Sequence, residues 1–228
     1  MTTPAKLVLL DLDGTLCDSA PGITSAMQTA MAGLGLPVPQ DEVIRSQVGP
    51  PLTDSLAAYG VPQHRIPEVI AAYRREFESD GMWSSRPFAG IVDQLIALRA
   101  AQCSLLLATS KPERYAKAMC EHWGLAPHLD GIYGAPDDGT SSTKAGVIAR
   151  ALGHPGHAAD ATAATTLMVG DRRQDVDGAA AHGIACLGVG WGYATAGELV
   201  GAVGIVPAVS DLSAAVLRHL EGQAQSCR

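Results

Sequence analysis

Apolar residues follow two rhythms along this chain. Short unbroken runs occupy 7–10, 104–108, 166–169 and 185–189, with a shorter pair at 132–133. Such runs lack the alternation of a half-exposed strand and fit strands covered on both faces. Between them, apolar positions recur at helical spacing. Tyr115, Met119 and Trp123 stand four apart, with Pro112 at the place of a first helical residue and Gly124 as a stop. Near the end, Leu212, Val216 and Leu220 share one face behind Asp211, a capping residue type. Strands alternating with helices predict a parallel α/β sheet.

One stretch breaks the alternation. From about residue 18 to residue 86 the pattern is helical, with no clear strand. Ile23, Met27, Met31 and Leu34 make one apolar face; Val69, Tyr73 and Phe77, joined by Ile70, make another. Turn signals separate them at Gly49-Pro50-Pro51 and Gly60-Val61-Pro62. The expected organisation is an α/β core of 1–17 and 87–228, with 18–86 inserted as a small helical domain. The stretch 157–166, rich in Ala and Thr, is expected to be a surface loop without chemistry.

Composition narrows the function. With 228 residues, 47% hydrophobic and 17% charged, the chain can bury a sizeable core, and wholesale disorder is excluded. Sixteen Lys and Arg against 23 Asp and Glu leave a net charge of −7. That balance argues against a nucleic-acid polymer or an anionic membrane as partner, but not against an anionic small molecule in a locally positive pocket. Five cysteines without C-x-x-C spacing suggest neither a disulfide framework nor a zinc site, and free thiols fit a reducing compartment. The run at 7–10 is too short for a signal-peptide core or a bilayer span, and no apolar run of membrane length is found elsewhere. A soluble cytoplasmic protein is expected, monomer or homodimer. The seven histidines show no ligand spacing.

The chemistry concentrates at strand ends. Asp11-Leu12-Asp13-Gly14-Thr15-Leu16 follows the first run directly, at the sheet edge where open α/β sheets bind ligands. Alternation points Asp11 and Asp13 the same way, and two such carboxylates repel unless a cation lies between them. A second acidic cluster, Gly170-Asp171-Arg172-Arg173-Gln174-Asp175, follows another run. If the two strands are neighbours, Asp11, Asp13, Asp171 and Asp175 converge into an oxygen-only set that suits Mg2+. Thr109 ends the second run, and Lys144 follows the polar turn 139–143. A hydroxyl, backbone amides and an ammonium in one pocket would bind phosphate. Taken singly, each has a plainer account: a turn, a helix cap, a solvated lysine, or acids favouring a helix dipole. In chain order together, all suit one phosphate and one Mg2+.

In that order, Asp11-x-Asp13-Gly14-Thr15, Thr109, Lys144 and Gly170-Asp171-x-x-x-Asp175 resemble the haloacid dehalogenase superfamily of phosphohydrolases. The resemblance spans nearly the whole chain. Val48-Gly49-Pro50-Pro51-Leu52, Thr109-Ser110-Lys111-Pro112, Gly131-Ile132-Tyr133-Gly134, Ser142-Thr143-Lys144-Ala145 and Gly190-Trp191-Gly192-Tyr193 look like the phosphoglycolate phosphatase and bacterial 5′-nucleotidase-like branch. The resemblance implies a Rossmann-like doubly wound core with 18–86 as its cap. It implies Asp11 as nucleophile forming an aspartyl-phosphate, and Asp13 as general acid and base. It implies Mg2+ on Asp11, the Asp13 carbonyl, Asp171 and Asp175. Thr109, Lys144 and the amides of Leu12, Asp13 and Ser110 would hold the phosphoryl oxygens.

Arg45, Gly49, Pro50 and Lys111 are candidates for reading the leaving group. Trp191 and Tyr193 are packing residues that could instead stack on a base, and Arg172 and Arg173 either add positive potential or face solvent. The implied substrate is a small phosphorylated metabolite. Nucleoside 5′-monophosphates come first, then phosphoglycolate, then a sugar phosphate, including a mutase reaction. A phosphoryl-accepting signalling domain shares Asp, Mg2+, Thr and Lys, but needs neither Asp13 nor a helical insert.

Overall fold

The computed structural model describes residues 6–136, 143–155 and 162–226. The first strand, β1 (Lys6–Leu10), leads into a two-residue strand, β2 (Cys17–Asp18). Helices α1 (Ala20–Gly33), α2 (Asp41–Ser46), α3 (Leu52–Ala58) and α4 (Ile66–Glu76) follow, then a π-helical turn at Phe77–Gly81 and a single turn, α5 (Met82–Ser84). The chain returns through β3 (Arg86–Pro87), antiparallel to β2. Next come α6 (Ile91–Ala100), β4 (Cys103–Pro112), α7 (Glu113–His122), β5 (Gly131–Ala135) and α8 (Lys144–Leu152). The chain closes with β6 (Thr166–Gly170), α9 (Arg173–Ala180), β7 (Ala185–Val189), β8 (Gly204–Val206) and α10 (Leu212–Ser226).

Six strands form one parallel sheet in the order β5-β4-β1-β6-β7-β8. Alternate residues of the central strands feed opposite layers. Val8, Leu10, Leu105, Leu107, Leu167 and Val169 pack with α6, α7 and α10, and Leu7, Leu9, Leu106 and Met168 pack with α8 and α9. Both faces are dry, which is why these strands read as unbroken apolar runs. The chain is an α/β protein with a doubly wound parallel sheet.

Several expectations are corrected. Pro112 does not open a helix: at φ −50° and ψ 131° it ends β4 and caps α7, which starts at Glu113. Strand β4 itself runs four residues beyond the apolar run, through an irregular register between Ala108 and Pro112. Strands β2, β3 and β8 have no counterpart in the pattern; each is two or three residues long, too short for periodicity to show. Asp211 belongs to a 3-10 turn, Val209–Asp211, that leads into α10. Of the segment 157–166, residues 157–161 lie outside the described residues, 163–165 form a 3-10 turn, and Thr166 begins β6.

Helices α1 to α4 have a separate apolar centre, in which Met27, Met31, Ile44, Leu56, Val61, Ile66 and Val69 are buried together. The chain enters and leaves this bundle side by side through the β2–β3 ribbon. At the crossing, the Tyr193 hydroxyl accepts from the amides of Ser19 (2.7 Å) and Ala20 (2.9 Å) and donates to Asp18 (2.8 Å). Gly22 lies so close to the Gly81 carbonyl that a Cβ there would fall 1.8 Å from its oxygen. Among the described residues no helix is long and apolar enough to cross a membrane.

Candidate active site

The site grows from the register of β1 and β6. Leu10 stands opposite Val169, so β1 ends one residue short of β6, and Asp11 and Asp171 leave the same edge of the sheet from neighbouring strands. The Asp11 amide still donates to the Val169 carbonyl at 3.0 Å. Beyond Asp11 the chain folds back at once. The amides of Leu16 and Cys17 both donate to the Leu12 carbonyl, and Gly14 sits at φ 78°, a backbone state that favours glycine. A Cβ on Gly14 would also fall 2.1 Å from an Asp171 oxygen.

Ligand oxygens of Asp11, Asp171 and Asp175 lie within 4.8 Å of one another. All three residues are buried, Asp171 and Asp175 completely. Lys144, the first residue of α8, reaches into this group. Its Nζ lies 2.8 Å from Asp11, 2.7 Å from Asp175 and 2.9 Å from the Ala108 carbonyl, to which it donates. The helix starts there because the Thr143 side chain accepts from the Gly146 amide, an N-terminal cap. Of the polar turn 139–143, residues 139–142 lie outside the described residues.

Burial sets the electrostatics. It pushes the Asp11 carboxyl up to about 6, with Asp175 and Asp13 adding to the rise and Lys144 opposing it. It also pushes Asp171 well above the usual carboxylate range, helped by Asp175 and Asp11. Burial works against a charged Lys144, yet the Asp11 and Asp175 carboxylates hold its ammonium protonated beyond the usual lysine range. Three buried carboxylates stand beside a single ammonium, so ionising all three calls for a further cation. This oxygen-only donor set, stripped of solvent, fits a hard divalent cation.

Asp13 faces the same space from the other side, where Lys111 Nζ lies 2.9 Å from its Oδ2. The Lys111 ammonium also lies 4.6 Å from the centre of the Phe77 ring, which belongs to the π-helical turn of the helical bundle. A cavity of about 390 Å³ opens from Asp11, Asp13, Thr109, Ser110, Lys144 and Asp175 toward that bundle. On the far wall stand Pro50, Leu52, Tyr59, Ile70, Tyr73 and Phe77. The volume is within the roughly 300–1,000 Å³ usual for small-molecule sites.

The structure thus brings together Asp11, Asp13, Thr109, Ser110, Lys144 and Asp175 around one cavity, with Asp171 behind them. Thr109 lies within β4 rather than at its end, and its Oγ1 accepts from the Lys111 amide at 3.3 Å. Gly49, Pro50 and Lys111 line the cavity, whereas Arg45 lies outside it, its guanidinium 4.9 Å above the Tyr193 ring. Leu12 is fully buried in the core below.

Trp191 and Tyr193 are structural. Trp191 Nε1 donates to the Thr15 carbonyl at 3.1 Å, and the Tyr193 amide donates to Asp171 at 2.7 Å. Gly192 makes that approach feasible, since a Cβ there would fall 2.3 Å from the Asp171 Cβ. Arg172 does not face solvent: it is buried, while Arg173 is exposed. The supports of Asp171 and the burial of Arg172 escaped sequence reasoning. The available signal was the pair of glycines around Trp191, which mark a close backbone approach.

A parallel sheet with paired aspartates at the ends of neighbouring central strands, a lysine between them and a helical bundle over the opening defines a class. The chain belongs to the haloacid dehalogenase-like hydrolase family, whose model matches residues 8–189. The tyrosine-protein kinase PtkA of Mycobacterium tuberculosis is 42% identical over 191 residues, 84% of this chain; the chain spans only 64% of that relative's length. A 5′-nucleotidase of Pseudomonas aeruginosa is 38% identical over 193 residues, covering 84% of this chain and 86% of the relative. Among solved structures, a "predicted phosphatase" from Clostridium acetobutylicum superposes with a TM-score of 0.86 at 34% identity, covering 95% of this chain and all of the other.

Proposed function

We propose that the protein is a Mg2+-dependent phosphomonoester hydrolase that works through an aspartyl-phosphate on Asp11, with nucleoside 5′-monophosphates as substrates. One observation carries this: the buried Asp11–Lys144–Asp175 cluster and Asp13 stand at one end of a cavity whose other end is apolar and aromatic. The phosphatase and 5′-nucleotidase names of similar proteins support the same class.

Asp11 attacks phosphorus in line, forming a bond from its carboxylate oxygen as the bond to the leaving oxygen breaks. Asp13 gives its proton to that oxygen, then takes one from the water that hydrolyses the acyl phosphate. In the structure Lys111 Nζ holds Asp13 Oδ2 at 2.9 Å, and the leaving oxygen needs that same carboxyl. Substrate entry therefore has to draw Lys111 away. Lys144, Thr109 and nearby amides hold the phosphoryl oxygens, which supplies the positioning and charge stabilisation that phosphoryl transfer needs. Mg2+, held by Asp11, the Asp13 carbonyl, Asp171 and Asp175, would offset repulsion between nucleophile and phosphate. The bundle α1–α4 serves as a cap that excludes bulk water and reads the leaving group.

A nucleoside suits the far wall, where Pro50, Leu52, Tyr59, Tyr73 and Phe77 offer flat apolar surface. Phosphoglycolate carries one carboxylate besides its phosphate and no apolar group to meet that wall. The 42% identity to a protein named a kinase favours one further reading, transfer of the phosphoryl group to an acceptor other than water.

The test is phosphate release from nucleoside monophosphates, phosphoglycolate and sugar phosphates with Mg2+, with Asp11→Asn as the blank. Turnover in the wild type alone, best on a nucleoside monophosphate, is the expected result. Equal activity in Asp11→Asn would overturn the nucleophile. A stable phosphoenzyme that transfers to a protein hydroxyl but not to water would favour the kinase reading.

A further inference from the structure

Arg172 sits in the loop between two of the clustered aspartates and borders the cavity, yet its side-chain hydrogen bonds go elsewhere. Its backbone amide donates to Asp175 at 3.0 Å, which ties it to the acidic cluster. The guanidinium turns the other way, toward the helical bundle. Nη2 donates to the Ser46 carbonyl at 3.0 Å, and Nη1 donates to the Val48 carbonyl. Both acceptors belong to the end of α2 and the segment just after it. The third side of the fork, Nε, donates to Glu198 at 2.6 Å. Glu198 is itself fixed by the Thr195 amide (2.9 Å) and hydroxyl (3.1 Å). Burial works against its charge, but the Thr195 amide and Arg172 hold its carboxyl below the usual range.

The next residue of the bundle, Gly49, presses on this arm. At φ 115° it adopts a backbone state that favours glycine, and a Cβ there would fall 3.0 Å from Arg172 Cγ. Gly49, Pro50 and Pro51 then line the cavity. A second bridge to the bundle, from Tyr115 of α7 to Glu78 at 2.5 Å, is half exposed on the Glu78 side and is weakened by solvent. The Arg172–Glu198 pair is 7% and 11% exposed.

We propose that Arg172, aimed by Glu198, docks the 46–51 segment over the cavity and so sets which leaving groups fit. It is a positioning residue that determines specificity, and this assignment rests on the hydrolase reading above. Only arginine can serve: its planar fork meets a carboxylate and two carbonyls at once, which a lysine ammonium on a flexible stem cannot match. Without the dock, the Gly49-Pro50-Pro51 wall has no fixed distance from the phosphate end, and a long leaving group loses its far contacts. A short one never reaches them.

Glu198→Gln is the cleaner variant, since Glu198 lies outside the cavity and glutamine keeps its shape and an acceptor for Thr195. Arg172→Lys tests the fork. Both are measured with a nucleoside monophosphate and with acetyl phosphate, whose leaving group is too small to touch the bundle. Amide hydrogen exchange across 45–55 is followed in parallel, without substrate. The expected result for Glu198→Gln is a KM for the nucleotide raised about tenfold with kcat within about twofold, and acetyl phosphate kinetics within about twofold of wild type. Exchange should accelerate across 45–55 in both variants, with no comparable change in the sheet. Arg172→Lys should not rescue the nucleotide KM. Unchanged exchange and unchanged KM would overturn the proposal. So would an equal rise in KM for both substrates, because Arg172 would then serve the phosphate end alone. If the wild type hydrolyses neither substrate, the hydrolase reading fails, while exchange still decides whether Arg172 docks the segment.

Discussion

Lys144→Met removes one ammonium and leaves a side chain of similar length. In the wild type that ammonium meets Asp11 at 2.8 Å and Asp175 at 2.7 Å, and its side chain is 4% exposed. The variant therefore keeps buried carboxylates that have lost their cation. Breaking a buried pair from one side destabilises by about 3–5 kcal/mol. For a chain of this size each kcal/mol shifts the melting temperature by about 2–4 °C, so a drop of roughly 6–20 °C is expected. The assay is thermal unfolding followed by circular dichroism in chelator, across pH.

The sign of the pH effect follows from Asp11. Its carboxyl stands at about 6 in the folded chain against 3.8 as the ordinary value, so its contribution to stability is full below pH 3.8 and fades as pH rises through about 6. Without Lys144 to oppose the rise, that carboxyl moves higher still. The deficit of the variant is then largest above pH 7 and shrinks toward pH 5, where protonation replaces the missing cation. Added Mg2+ should narrow the gap at pH 8. A drop under about 2 °C at pH 8, or an equal drop at pH 5 and pH 8, would refute the account of Lys144 as the counter-charge of the cluster.

Metal affinity should carry the same signature. Burial raises Asp11 and Asp171, so a cation displaces protons, and calorimetric Mg2+ binding should tighten from pH 5 to pH 7.5 with proton release. Gly14→Ala places a Cβ 2.1 Å from Asp171 at a positive φ, and should weaken Mg2+ binding by at least about tenfold while lowering the melting temperature. Tyr193→Phe keeps the ring but orphans the amides of Ser19 and Ala20, and should lower unfolding free energy by about 2–4 kcal/mol in denaturant titration. A Tyr193→Phe variant of wild-type stability would show that water replaces the hydroxyl at this crossing.

How much of this was legible in the sequence differs by element. The central strands were, because a strand dry on both faces has no polar side to interrupt its run, as Leu7 to Leu10 show. The aspartates were legible too: Asp11 and Asp171 each follow such a run directly, and the strand's end fixes where they leave the sheet. Strand β8 was not, since three residues with Ile205 exposed carry no period. Thr109 could be named but not placed, because β4 continues past its apolar stretch on polar residues.

What only the tertiary structure decided is which charges face each other. Register between β1 and β6, a contact across about 160 residues of sequence, makes one cluster of Asp11 and Asp171. Lys111 and Arg172 are both cations near the cavity, and nothing local distinguishes them. Packing turns Lys111 onto Asp13 and Phe77, and Arg172 onto Glu198 and the carbonyls of Ser46 and Val48. The sequence determined the backbone path and the chemistry at strand ends, because hydrophobic burial acts through local pattern. The partners of buried charges depend on distances between segments far apart in the chain, and only the folded chain sets those.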